Sequence, residues 1–310
     1  MILTLYAFSE WKYMTHGGRH VVFYYTGERT YFKSSVLRFR YQDEFSNTDE
    51  HIEAVQLESE LYDHVVDKYF GSSYKVDYFI VELSHEFICY CTSEFHKINH
   101  LARTKLSRHA WMCDNLKAAD YISYEIKPKW LGCGSNVFNH NKSKCPYCSH
   151  RKRASDNSDY CPSYLFSGDA LYIEKALKNY FKDLDIQPNV LNSLIQIFLH
   201  DKAIHTLKRI FLKNCKLAHR ICKSQHSRLT CNEFFEQYRA HISLKSTNDL
   251  FDFITTFSIK DCSLFIFPNH DISEGKIKII DIDLKNIENL EKYLMCTIKC
   301  CCDPLHQYVC

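Results

Sequence analysis

The stretch 262–285, CSLFIFP-NHDISEG-KIKIIDIDLK, restricts the fold of this chain more than any other. Two apolar runs flank a short polar segment with a glycine, which is the pattern of an antiparallel hairpin. Antiparallel pairing fixes register: with the turn centred near Ile272, residues equidistant from it lie opposite each other. Asp261 then stands at the entry of the first strand, and Asp281 and Asp283 stand near the exit of the second. Three carboxylates approach one end of the ribbon. The period-two rule places Asp281, Asp283 and Lys285 on one face and Ile280, Ile282 and Leu284 on the other. That acidic end reads either as a solvated strand end or as the holder of a divalent cation. Mg2+ prefers one or two carboxylates completed by phosphate oxygens.

The rest of the chain supplies a context for that hairpin. Residues 1–47 alternate apolar with polar in "HVVFYYTG" and "SSVLRFRY", the pattern of a hairpin-rich sheet. Residues 48–69 carry Ile52, Val55, Leu61 and Val65 at helical spacing, after acidic residues suited to a helix start. "VDYFIVEL" and "YISYEIKPK" read as strands, and 140–163, rich in Cys, Ser, Asn and Lys, as a loop. From 169 to about 257 the spacing is mostly helical. A β-rich first part followed by a mixed, helix-rich part makes the class α+β. The expected division is 1–120 and 121–310.

Composition excludes little. Lys and Arg total 39 against 37 Asp and Glu, so net charge names no partner. No run approaches ~18 apolar residues, so no membrane span is expected. The opening "MILTLYAFSEWKYM" has neither a basic n-region nor a sustained apolar run, so no secretory signal is expected. The 16 cysteines therefore read as reduced thiols of an intracellular protein, nuclear or cytoplasmic, rather than as a disulfide framework.

Three further segments carry charge or reactive groups. In "YEIKPKW", residues 124–130, Glu125, Lys127 and Lys129 fall on one face of an extended segment, and Pro128 implies a strand end or edge. They read as an ion-pair ladder or as point charges for phosphates. "THGGRH", residues 15–20, puts Gly17 and Gly18 in a turn whose backbone N–H groups can cradle phosphate. "CPYCSHRKR", residues 145–153, combines a Cys-x-x-Cys pair with a basic run. It reads as a redox dithiol, half of a zinc site or the rim of an anion pocket. A redox site should open a helix after a strand, and this segment lies in polar loop. Cys145, Cys148 and Cys161 offer three thiolates to zinc, with Cys133, His140 or His150 available as a fourth ligand. Neither a Walker pattern nor the protein-kinase signatures occur.

Taken in order, "EIKPKW" at 125–130, "CPYCSH" at 145–150, "YCP…LFSG" at 160–168, "KDCS" at 260–263 and "DIDLK" at 281–285 resemble the inositol-pentakisphosphate 2-kinases, in their short fungal form. "EWKY", the glycine turn and "VLRF" at 36–39 extend the resemblance over nearly the whole chain. It implies a two-lobed kinase with a β-rich N-lobe and a larger, helix-rich C-lobe. It also implies Mg2+-dependent transfer from ATP to inositol pentakisphosphate by a monomer that needs no nucleic acid or membrane. Gly17 and Gly18 resemble the nucleotide loop, Arg38 the ATP-phosphate arginine and Glu125 the glutamate that helps hold the nucleotide. Lys127 and Lys129 resemble the lysines that face the inositol phosphates and the transferred group, and His150 an inositide-binding histidine. Asp261 matches the aspartate that accepts the proton of the attacking hydroxyl. Asp281 matches the Mg2+ ligand, with Asp283 beside it. Lys285 and Tyr293 match substrate-binding residues.

Departures from the family pattern fall in the nucleotide loop and around the substrate. His16 and His20 stand for a glutamate and an asparagine of the loop, Ser163 and Tyr164 for Leu-Asp, Pro146 for an arginine and Asn289 for a basic residue. Arg151, Lys152 or Arg153 would supply the missing cations. The rival readings are a zinc-containing nucleic-acid module and a degenerate kinase that binds inositides without turnover.

Overall fold

Phe87, Cys91 and Phe95 recur every fourth residue, which puts them on one face of a helix, and all three are fully buried. In the computed structural model, described over residues 2–3, 8–17, 20–41, 48–98, 106–117, 122–128, 160–223, 249–268, 276–282, 285 and 289–294, that helix is His85–Ile98. It packs on a sheet of six strands: β1 (Ile2–Leu3), β2 (Trp11–His16), β3 (His20–Tyr25), β4 (Ser35–Tyr41), β5 (Tyr78–Leu83) and β6 (Leu106–Asp114). The order is β1-β5-β6-β4-β3-β2, antiparallel except for β1 against β5. Register carries a buried row across four strands, Val21 to Phe39 to Ala110 to Val81. This row and the helix face form one apolar core with Trp11, Phe23 and Leu37. The alternate residues of β4 and β6, Arg38 and Trp111, pair with each other in the same register.

The chain divides into two compact units, Met1–Leu61 with Val76–Ile122 and Tyr62–Lys75 with Ser123–Cys310. Helix Thr48–Tyr69 contributes to both. The second unit holds a three-stranded antiparallel sheet, β7 (Tyr124–Ile126), β8 (Ser263–Ile266) and β9 (Ile277–Ile280), in the order β7-β8-β9. Its helices include Pro162–Leu165, Ala170–Tyr180, Pro188–His200, Lys202–Lys223 and Asp249–Ile259. Asp169 caps the second of these by accepting the N–H of Leu171 at 2.9 Å. Gly168 before it has φ 83°, a left-handed conformation that favours glycine and explains the Gly of "LFSG". The class is α+β, and no described helix is long and apolar enough to cross a membrane.

The two strands pair antiparallel as the pattern predicts, but one residue off the register centred on Ile272: Ser263 lies opposite Ile280 rather than Asp281, and Ile266 opposite Ile277. One expectation needs correction. Ile277 and Ile279 are buried, Ile280 is half-buried, and Ile282 is buried again, so the alternation shifts phase at Asp281. Asp281 has φ 61° and β9 ends at the residue before it. The period-two rule therefore does not carry Asp281 and Lys285 onto one strand face.

Candidate active site

Helix Asp249–Ile259 is buried along its last seven residues and ends in a tight turn. The N–H of Asp261 donates to Ser258 O at 3.3 Å and that of Cys262 to Ile259 O at 3.1 Å. Strand β8 starts immediately after this turn, so Asp261 is held at the sheet's end by a buried helix on one side and a central strand on the other. Lys285 reaches the same place: its ammonium lies 2.6 Å from Asp261 Oδ2, and its backbone N–H donates to Ser258 Oγ at 3.2 Å.

On the neighbouring strands, Glu125 of β7 and Asp281 after β9 both turn toward Ser263, the first residue of β8. Ser263 Oγ stands 2.9 Å from Glu125 Oε1 and 3.0 Å from Asp281 Oδ2. Lys127, just beyond β7, brings its ammonium to 3.9 Å from the same Asp281 oxygen. Three carboxylates and two lysines thus collect at one end of one sheet, with Lys285 paired to Asp261, and Lys127 facing Asp281. Tyr293 stacks on Phe257 with centroids 4.7 Å apart, and Lys260 Nζ lies 3.8 Å over that Phe257 ring. Cys262 is fully buried, and burial pushes its thiol well above the ordinary range, with Asp281 and Asp261 adding to the effect. A thiol so held stays protonated and is no nucleophile.

The first unit carries Gly17 and Arg38. Gly17 donates its N–H to His20 O at 2.8 Å, and its carbonyl accepts from the Tyr41 hydroxyl at 3.1 Å. Among the described residues, nothing lies within 4 Å of where a Cβ on Gly17 would stand. Arg38 donates to His20 Nδ1 at 3.1 Å, and its guanidinium lies 5.6 Å from the Trp111 centroid. Because guanidinium only donates, Nδ1 of His20 must be the accepting nitrogen. Arg40 and Glu58 form a buried ion pair beside them, and Trp111 Nε1 donates to Ser59 Oγ at 2.7 Å.

Compared with known proteins, residues 13–296 match the family model described as inositol-pentakisphosphate 2-kinase. The chain belongs to the inositol-pentakisphosphate 2-kinase family. It is therefore a member of a family of transferases. A BTB/POZ domain-containing protein of Acanthamoeba polyphaga mimivirus is 24% identical over 260 residues, covering 73% of this chain and 53% of that protein. The chain spans about half the length of this curated relative.

Of the residues that kinase membership makes interesting, Glu125, Lys127, Asp261, Asp281 and Lys285 are brought together in the second unit. Tyr293 sits on the helix that supplies Asp261, through Phe257. Gly18, Lys129, His150, Arg151, Asp283, Cys145 and Cys148 lie outside the described residues. Cys161, the third thiolate considered for zinc, is buried at the start of helix Pro162–Leu165. No group of three or more metal-ligating side chains is found among the described residues. Ser263 was not singled out by sequence reasoning. Its one available signal was its place in "KDCS", directly after Asp261 and Cys262.

Proposed function

We propose that this chain transfers the γ-phosphoryl group of ATP to the 2-hydroxyl of inositol pentakisphosphate, giving inositol hexakisphosphate and ADP. The observation that carries this reading is the clustering of Asp261, Asp281, Glu125, Lys127 and Lys285 at one sheet end, in a chain of this family. Phosphoryl transfer asks a protein for positioning and charge neutralisation more than for covalent chemistry. Carboxylate and lysine side chains fixed on rigid elements suit that task.

In this reading Asp261 orients the attacking hydroxyl and accepts its proton as the new O–P bond forms and the bond to the β-phosphate oxygen breaks. Lys285, now paired with Asp261, turns to a substrate phosphate and leaves the carboxylate free for that proton. Lys127 offsets charge on the inositide or on the transferred group. Glu125 helps hold the nucleotide, and Gly17 and Arg38 keep the phosphate-binding role that the family resemblance implies. The donor set suits Mg2+, because Asp281 offers a hard carboxylate and phosphates complete the shell. When bound, Mg2+ supplies charge neutralisation to the ATP phosphates.

The test is purified chain with Mg2+-ATP and inositol pentakisphosphate, product resolved by anion-exchange chromatography. Inositol hexakisphosphate is expected. Binding of both ligands without turnover would leave an inositide-binding protein instead. Asp261→Ala should lower kcat by about 10²–10⁴-fold and leave ATP affinity nearly unchanged. Wild-type turnover in that variant would remove Asp261 from its assigned role.

A further inference from the structure

Ser263 is fully buried, and its hydroxyl sits between Glu125 Oε1 at 2.9 Å and Asp281 Oδ2 at 3.0 Å. A hydroxyl carries one hydrogen, and an ionised carboxylate only accepts. The hydrogen can therefore serve one of the two carboxylates at a time. The other contact then sets a carboxylate oxygen against a hydroxyl lone pair, in a place with no exposed surface at the serine to offer a water instead. Two acceptors compete for one donor.

We propose that Ser263 is a positioning residue that couples the two carboxylates, its hydroxyl passing to Glu125 when a cation takes over Asp281. This rests on the reading of Asp281 as the Mg2+ ligand and Glu125 as a nucleotide-holding residue. A cation that draws on Asp281 withdraws that oxygen from the competition. The hydroxyl then donates to Glu125 alone, and a carboxylate that accepts a fixed hydrogen bond has a fixed orientation toward the nucleotide. By linkage, a nucleotide that engages Glu125 in this orientation favours the cation on Asp281 to the same extent. The sheet supports the arrangement: β7, β8 and β9 hold the three residues on adjacent strands or at a strand end, with Glu125 opposite Phe265 and Ser263 opposite Ile280. A side chain that only filled space here would not need an oxygen.

The experiment is equilibrium binding of ATP to the full chain without inositide, in EDTA and in saturating Mg2+, with the unliganded melting temperature measured alongside. The quantity read is the factor by which Mg2+ tightens ATP binding. Ser263→Ala should cut that factor about tenfold, in the usual range for coupled sites, while binding in EDTA changes little. Ser263→Cys, which keeps the shape and only a weak donor, should lose an intermediate part and serves in its place if the alanine variant does not fold. A wild-type factor in the folded Ser263 variants, with Glu125→Gln or Asp281→Asn lowering it, overturns the coupling while the nucleotide reading stands. Wild-type binding in both of those carboxylate variants overturns the nucleotide reading itself, and the coupling with it.

Discussion

Asp281 adopts φ 61°, in the left-handed region that a non-glycine residue enters at a cost. Asp and Asn bear that conformation best, because their short polar side chains can bond locally, whereas most other residues pay about 1–2 kcal/mol. The position where β9 stops is thus one where the backbone itself prefers Asp or Asn, and function can be separated from fold by exchanging the two. Asp281→Asn should leave the unfolding free energy within about 0.5 kcal/mol of wild type, as for a substitution that preserves backbone preference. The same variant should weaken Mg2+-dependent ATP binding and activity together. Asp281→Val should lose about 1–3 kcal/mol of stability in addition, read by urea denaturation. Activity in Asp281→Asn with an unchanged Mg2+ requirement would move the metal role to Asp283. The charged members of this group stood out in the sequence by their places in the hairpin and in "YEIKPKW", but a solvated surface explained them equally, and only the family resemblance grouped them. Ser263 was not legible, because its meaning depends on acceptors 138 and 18 residues away. Nor was the φ of Asp281, which shifts the phase of a pattern that looks regular on paper.

At the scale of elements, alternation and helical spacing located most of what forms. Strands His20–Tyr25 and Ser35–Tyr41 and helix Thr48–Tyr69 fall where periodicity puts them. Strand Leu106–Asp114 escaped notice because it lies between β4 and β5, and its burial does not alternate: Ala110, Trp111 and Met112 are buried in a row. Helix His85–Ile98 escaped too, its buried stripe of Phe, Cys and Phe being only three residues wide. Helix Lys202–Lys223 begins on a cap that a sequence does not reveal in full. Asp201 Oδ1 accepts the N–H of Ala203 at 2.7 Å and the Tyr74 hydroxyl at 3.1 Å. Asp201→Ala should therefore cost about 1–2 kcal/mol of stability in urea melts, and Asp201→Asn less. Burial, with the Asp201 charge and hydrogen bond adding, pushes the Tyr74 hydroxyl from 10.0 up to about 12. The folded state thus binds this proton more tightly than the unfolded chain does. Its contribution is complete below pH 10 and is lost as pH rises toward about 12. Tyr74→Phe should flatten the loss of stability over that window relative to wild type, and parallel slopes for the two proteins would rule out this link.

For the molecule as a whole, the second unit is not contiguous in sequence: Tyr62–Lys75 groups with Ser123–Cys310. Its hydrogen bonds explain why. The Tyr62 hydroxyl donates to Ile279 O at 2.9 Å, Lys278 Nζ to Ser73 O at 2.9 Å and the Tyr74 hydroxyl to Asp201 at 3.1 Å. Lys68 joins Lys213 on the carboxylate of Asp252. The first and second of these bonds hold the hairpin whose end carries Asp281. Val65, Val66 and Phe70 of the same segment are buried, and each such side chain contributes about 1.5–3 kcal/mol. Against a total stability of about 5–15 kcal/mol, losing the segment should be decisive. A fragment of residues 123–310 expressed alone should show no cooperative thermal transition by circular dichroism. Coexpression with residues 48–75 as a separate chain should restore the transition, because the segment's bonds and buried side chains return without the strands of the first unit. A fragment 123–310 that melts cooperatively near the full-length midpoint would show that these contacts are dispensable, and that the long helix belongs to the first unit alone.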